Sequence, residues 1–439
     1  MIWRVFSRIR RNPPFIGYSL QSKEQKADIL SIYVDEKGKP YKTAGKIDYV
    51  AGWYFKASQY MQGTTVRTAL VSTNSITQGE QVAGVWKPLY ERFGIHIDFA
   101  HRTFRWDSEA SIKAHVHCVI VGFSVAESQK ERMLFSDGRP VIVQKINGYL
   151  LDAPDVFIAN AKSPICDVPM MTTGNRPADG GHLIIEADEY EDFIKREPQA
   201  KPYIKKLVGS VEFINNKKRW CLWLVGVSPA TLRKMPLVME RIEKCRKDRL
   251  ASPDAGRRKL AGTPTVFRET NNPESYVLVP KVSSERRRYV PMGFLDKDTI
   301  STDLNFVIPD ANLYHFGILT SNVHMAWMRA VCGRLKSDYR YSRDIVYNNF
   351  PWPSPTADQR AKIEQTAQAI LDARALYPDS SLADLYDELT MPPELRKAHQ
   401  NNDRAVMAAY GFPVKGFTEA DCVAELMKLY QKMVEENGK

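Results

Sequence analysis

The chain has 439 residues, 44% hydrophobic and 26% charged, the proportions of an ordinary globular protein with length for two or three domains. No run of about 20 apolar residues is present, which excludes a helical membrane span, and the basic opening MIWRVFSRIRR lacks the apolar stretch of a secretory signal. The net charge of +11 is concentrated: residues 201–300 hold 22 Lys and Arg against 10 Asp and Glu, which suits a surface facing a polyanion such as nucleic acid.

Six cysteines (118, 166, 221, 245, 332 and 422) lie far apart with no C-x-x-C pair. That argues against a zinc site and a disulfide framework and fits a reducing cytosol, so a cytoplasmic location is expected.

In chain order, residues 1–125 read as alternating α/β. KIDYVAGWYFKASQYMQG is an amphipathic helix closed by Gly63, and VRTALVSTNSI is a β-branched run ending in polar residues. SITQGEQVAGVWKPLYERFG has helical spacing. IHIDFAHRTF and AHVHCVIVGFS are two further strands, the second apolar enough for a sheet centre. This order implies a doubly wound sheet with its ligands at the carboxyl ends of the strands. Residues 126–165 are mixed and polar, as a linker is. Residues 166–352 change texture to short strands and loops with one basic helix, PLVMERIEKCRKDRLAS, and residues 353–439 read as a helical domain after the proline-rich joint NNFPWPSP. His115 and His117 share one face of a strand, yet no Cys or carboxylate stands in register with them, so no metal site is expected.

Asn12-Pro13-Pro14-Phe15 is the tetrapeptide of methyltransferases that act on the exocyclic amine of adenine or cytosine. Such an amine is a poor nucleophile because its lone pair is delocalised into the ring. A side-chain amide oxygen (Asn12) and a backbone carbonyl (Pro13) that accept its two N–H groups pull the nitrogen towards tetrahedral geometry and expose that lone pair. The two prolines fix φ and pre-organise the acceptors, and Phe15 offers a face to a base rotated out of the duplex. The motif suits either amine.

From Asn12 onward the chain resembles the carboxyl half of the MmeI-like, type IIL restriction–modification enzymes. The resemblance lies in NPPFIGYSLQSKEQ, DYVAGWYFKASQYMQGTTVRTALVSTNSITQGEQV, FAHRTFRWDSEASIKAHVHCVIVGF, RPADGGHLI, VSSERRRYVPMGFL, HMAWMRAVCGRLKSDYRYSRDIVYNNFPWP and DLYDELTMPPELRKAHQNND. It implies the carboxyl-terminal part of a Rossmann-like, class I S-adenosylmethionine-dependent methyltransferase sheet, then an α+β target-recognition domain and a helical tail. It further implies methylation of adenine N6 in double-stranded DNA, with the adenine flipped out, as part of a restriction–modification system. The family's glycine-rich cofactor loop has no counterpart before Asn12, and arginines 8, 10 and 11 stand where an apolar strand is usual. The chain is therefore expected to be a truncated methyltransferase. The alternatives are a non-catalytic DNA-binding remnant, or one subunit of a split enzyme whose second polypeptide supplies that loop.

The same resemblance assigns Asn74, in the STNSITQGEQ turn, and Phe104 and Trp106 to the base pocket, one of these rings sandwiching adenine against Phe15. It places base readout on Lys281 with Asp303 and on Lys336 with Asp338, with Arg340 extending the row. In an extended strand Lys336 and Asp338 point the same way. A lysine donating to G and an aspartate accepting from the paired C together read one G·C pair. The clusters Lys217-Lys218-Arg219, Arg257-Arg258-Lys259 and Arg286-Arg287-Arg288 are expected to touch phosphates.

Overall fold

The computed structural model of the chain describes residues 8–107, 115–125, 131–136, 138–436 and 438. A short strand, β1 (Arg8–Arg11), leads into the proline pair. Helices α1 (Lys23–Ile32) and α2 (Ala51–Met61) follow, then β2 (Arg67–Thr73), a 3-10 turn over Asn74–Thr77 and α3 (Gly79–Phe93). Gly94, at φ 62°, ends α3 in the left-handed conformation that a side chain resists. β3 (His96–Asp107) and β4 (His115–Ser124) complete the core of the sheet. The side chain of His115 lies outside the described residues.

β1 is parallel to β2, whereas β4 runs antiparallel between β2 and β3. Cys118, Val119, Val121 and Phe123 of β4 are all buried, as a strand covered on both faces requires. Tyr54 of α2 stacks on Phe123 at 5.2 Å between centroids and meets Trp86 of α3 edge-on at 5.3 Å, so these two helices cover one face of the sheet. The expected linker, residues 126–165, contributes two more strands. β5 (Arg132–Ser136) pairs parallel to β3 and β6 (Arg139–Val143) forms a hairpin with β5, giving the order β1-β2-β4-β3-β5-β6.

Three smaller sheets follow. One joins Thr299–Ser301, Ile204–Val208, Trp220–Leu222 and Ile184–Ile185. Another joins Gly293–Asp296, Ser275–Pro280, Asn305–Pro309 and Thr172–Thr173. The third joins Val282–Ser283, Asp338–Arg340 and Gly333–Leu335. The helix Pro236–Leu250 forms a separate core with Leu183, Ile185 and Leu207. Here Arg249 is fully buried, and its guanidinium donates to the carbonyls of Pro177, Ala178, Leu260, Thr263 and Val266 at 2.8–3.1 Å. Burying a cation is costly unless its donors are satisfied, and these five carbonyls satisfy them. The main core runs from the N-terminal sheet through Trp327 and Phe350 to Leu426 of the last helix. The tail is helical as expected, over Ala357–Ala375, Pro393–Tyr410 and Glu419–Glu436. Among the described residues no helix is long and apolar enough to cross a membrane.

Candidate active site and nucleic-acid interface

Because β1 and β2 are parallel, their carboxyl ends share one edge of the sheet. Asn12–Phe15 leaves one strand there and Asn74 leaves the other. Asn12 is exposed, Pro13 is buried and Phe15 is half-buried. Neither the Asn12 carboxamide nor the Pro13 carbonyl is used in a hydrogen bond among the described residues, so both acceptors stand free.

A buried carboxylate that the sequence reading missed holds this edge together. Asp48 Oδ1 accepts from the Tyr18 amide at 2.9 Å, and Asp48 Oδ2 accepts from the Ser75 hydroxyl. Gln81 of α3 accepts from Asp48 N at 3.0 Å and donates to Lys46 O at 2.6 Å. The loop after the tetrapeptide, the turn after β2 and the first turn of α3 are thereby tied to one point.

Phe104 and Trp106 stand farther away. Thr73 lies opposite Cys118 and Cys118 lies opposite Phe104, so β4 intervenes between Phe104 and the end of β2. Phe104 packs near Trp106, 6.3 Å between centroids. His101 is stacked on Phe135 at 4.2 Å.

The readout candidates converge on the three-stranded sheet. Gly333–Leu335 and Asp338–Arg340 form a hairpin whose two-residue turn is Lys336-Ser337, and Val282 pairs with Arg340. Lys336 has φ 58°, so it is a turn residue and the extended reading of Lys336-Ser337-Asp338 is corrected: the turn presents the lysine, not strand alternation. Alternation does hold for Asp338 and Arg340, which flank the buried Tyr339. Lys281 joins the same sheet through Tyr341 N, which donates to Lys281 O at 2.8 Å. The Lys281 ammonium lies 4.6 Å from the centre of the Phe306 ring; burial lowers its pKa and the Asp303 charge opposes that shift. Asp303 also meets Arg176 at 4.0 Å.

The cationic clusters divide. Lys217, Lys218, Arg286 and Arg288 are exposed, while Arg287 is half-buried and its pKa is lowered by burial. Arg219 is bridged to Glu212 at 3.1 Å. Arg257 is paired with Asp248, and Arg258 donates to the Ser252 and Pro253 carbonyls at 2.8 Å, so those two arginines tie the short helix Ala255–Lys259 to the end of the helix before it.

Comparison with known proteins agrees with this layout. Three family models match in succession: the MmeI DNA-methyltransferase domain over residues 7–136, the MmeI target recognition domain over 152–354, and the MmeI C-terminal domain over 356–436. The chain belongs to the MmeI family. The solved structure of the type IIL restriction–modification enzyme MmeI in complex with DNA is 45% identical with a TM-score of 0.88, over 98% of this chain and 57% of that one. A relative described as DNA methyltransferase A of Bacillus subtilis (strain 168) is 42% identical over 426 residues, 97% of this chain and 47% of the relative. The chain thus spans about half the length of these MmeI relatives. Within the MmeI domains, Asn12–Phe15 and Asn74 fall in the methyltransferase match, and all five readout candidates fall in the target-recognition match.

Proposed function

We propose that the chain is the catalytic and site-reading part of a DNA methyltransferase of a restriction–modification system, acting on N6 of an adenine extruded from duplex DNA. The observation that carries this is the pair of uncommitted acceptors, Asn12 Oδ1 and Pro13 O, at the carboxyl end of β1, in one chain with the readout sheet. Adenine rather than cytosine follows from the MmeI resemblance.

Lysines and arginines attract the duplex through its phosphates. Lys281 with Asp303, and Lys336 with Asp338, each read a G·C pair, lysine donating to guanine and aspartate accepting from the cytosine amine. Asn74 and Phe15 border the space for the extruded base. S-adenosylmethionine, when bound, would supply the methyl group from its sulfonium. The two N–H groups of the amine donate to Asn12 Oδ1 and Pro13 O, which localises the lone pair on nitrogen. A nitrogen–carbon bond forms as the sulfur–carbon bond breaks, and the surplus proton leaves the nitrogen to water.

The outer edge of β1 has no neighbouring strand among the described residues, which favours a second arrangement in which another polypeptide adds to that edge. Labelled methyl transfer from S-adenosylmethionine to duplex DNA, followed by nucleoside analysis, tests both. N6-methyladenine from the chain alone supports the first arrangement, and transfer only with a second polypeptide supports the split one. DNA binding without transfer under either condition leaves a recognition module and overturns the catalytic reading.

A further inference from the structure

Where the readout hairpin meets the N-terminal sheet, two backbones touch. A Cβ on Gly79, the first residue of α3, would lie 3.4 Å from Gly333 N and 3.5 Å from Gly333 Cα, the first residue of the hairpin. Beside this contact opens a cleft of about 450 Å³. Thr77 and Gln78, from the turn that begins at Asn74, form one side; Arg334 and Tyr339 of the hairpin form the other, and Arg102 of β3 reaches into it.

Neither arginine has a carboxylate partner among the described residues. Arg102 Nε donates to Leu150 O at 2.9 Å, and burial lowers its pKa. Arg334 lies 3.9 Å from the centre of the Tyr339 ring and donates one Nη1 bond to Ser337 O at 2.9 Å. Each guanidinium has five N–H donors, so each keeps several free. Glu419, also on the cleft, is already held by Arg329 through two bonds of 2.8 Å. The cleft is positive and uncompensated, and it lies between the turn that borders the base site and the hairpin that reads base pairs.

We propose that this cleft holds a backbone phosphate of the DNA strand between the extruded base and the base pairs read by the hairpin, with Arg102 and Arg334 as its ligands. The inference rests on the DNA-methyltransferase reading. A strand running from the readout hairpin to Asn12 crosses the junction where Gly79 meets Gly333, and what it presents there is a phosphodiester. Planar guanidinium forks match phosphate oxygens in two-bond geometry.

The test is fluorescence anisotropy of the full chain on target and scrambled duplexes across a salt series. Arg102→Gln and Arg334→Gln should each weaken binding equally on both duplexes and lower the salt slope, and the double variant should reduce it by about 0.9. Arg102→Lys and Arg334→Lys should retain the slope. A duplex with one uncharged methylphosphonate linkage beside the target adenine probes the site without altering the protein. It should bind the unsubstituted chain more weakly and the double Gln variant no more weakly than natural DNA does. Unchanged affinity and slope in both Gln variants, on DNA that the protein still binds, overturns the inference alone. Failure of every form to bind either duplex overturns it together with the methyltransferase reading.

Discussion

The Tyr18 amide donates to Asp48 Oδ1 at 2.9 Å, across 30 residues of sequence. The other oxygen of Asp48 takes the Ser75 hydroxyl, so one carboxylate sets the distance between the loop that leaves Asn12–Phe15 and the turn that carries Asn74. Replacing it by Ala leaves two part-buried donors unpaired, a cost of about 1 kcal/mol, and loosens the edge on which the acceptors sit. Asp48→Ala should slow methyl transfer roughly tenfold to a hundredfold with DNA affinity unchanged. Asp48→Asn, which keeps one acceptor, should recover part of the rate. Separate measurement of kcat and of DNA Kd checks this; an equal loss in both would mean that Asp48 supports the fold at large.

Site choice should follow the hairpin. Exchanging the pair, Lys336→Glu with Asp338→Arg, reverses donor and acceptor and should move methylation to sites with C in place of G at one position. Sequencing of the methylated positions reads this directly. An unchanged site would assign Lys336 and Asp338 to the solvated surface.

Arg249 should be a determinant of stability rather than of DNA binding. Its removal leaves five carbonyls without their donor, so Arg249→Met should destabilise the lobe around Pro236–Leu250 by at least about 3 kcal/mol. Hydrogen exchange of that helix and of residues 177–185 should rise, while the N-terminal sheet stays protected.

Acid should unfold the chain through His324. It is fully buried against the Tyr341 hydroxyl at 2.8 Å, and burial pushes its pKa from 6.5 down to about 3. The unfolded chain binds a proton there that the native state refuses, so stability is lost as pH falls from about 6.5 towards 3. Asp403 works the other way. Its carboxylate accepts from Tyr289 and from the Asn322 amide, yet burial raises its pKa to about 6. Its contribution is full below 3.8 and is lost as pH rises through about 6. Asp403→Asn removes that opposing slope, and Tm measured between pH 4 and 6 should then climb more steeply with pH than in the unsubstituted protein.

Much of this was legible in the residues. The apolar run of β4, the strand VRTALVST and the periodic tail announce their elements because burial and period coincide there. Asn12–Phe15 stands out in the sequence because the chemistry proposed for it needs only four adjacent residues. The hairpin of β5 and β6 left its own trace in Asp137-Gly138 between two apolar runs, a turn signature that the polar surroundings obscured. Other features carry no local sign. Lys336 adopts a left-handed turn without the Gly or Asn that usually marks one. Asp48 lies 27 and 30 residues from its two partners. Arg249 sits in a basic helix that reads as surface, and only tertiary packing buries it.

The most direct measurement is the methyl-transfer rate of Asn12→Ala, under conditions in which the unsubstituted protein turns over. Asn12 is exposed and bonded to nothing among the described residues, so the change should leave folding and DNA affinity intact. Loss of one acceptor at the reacting amine should lower the rate by about 10²–10³. Transfer at the original rate would contradict a role for Asn12 in activating the base.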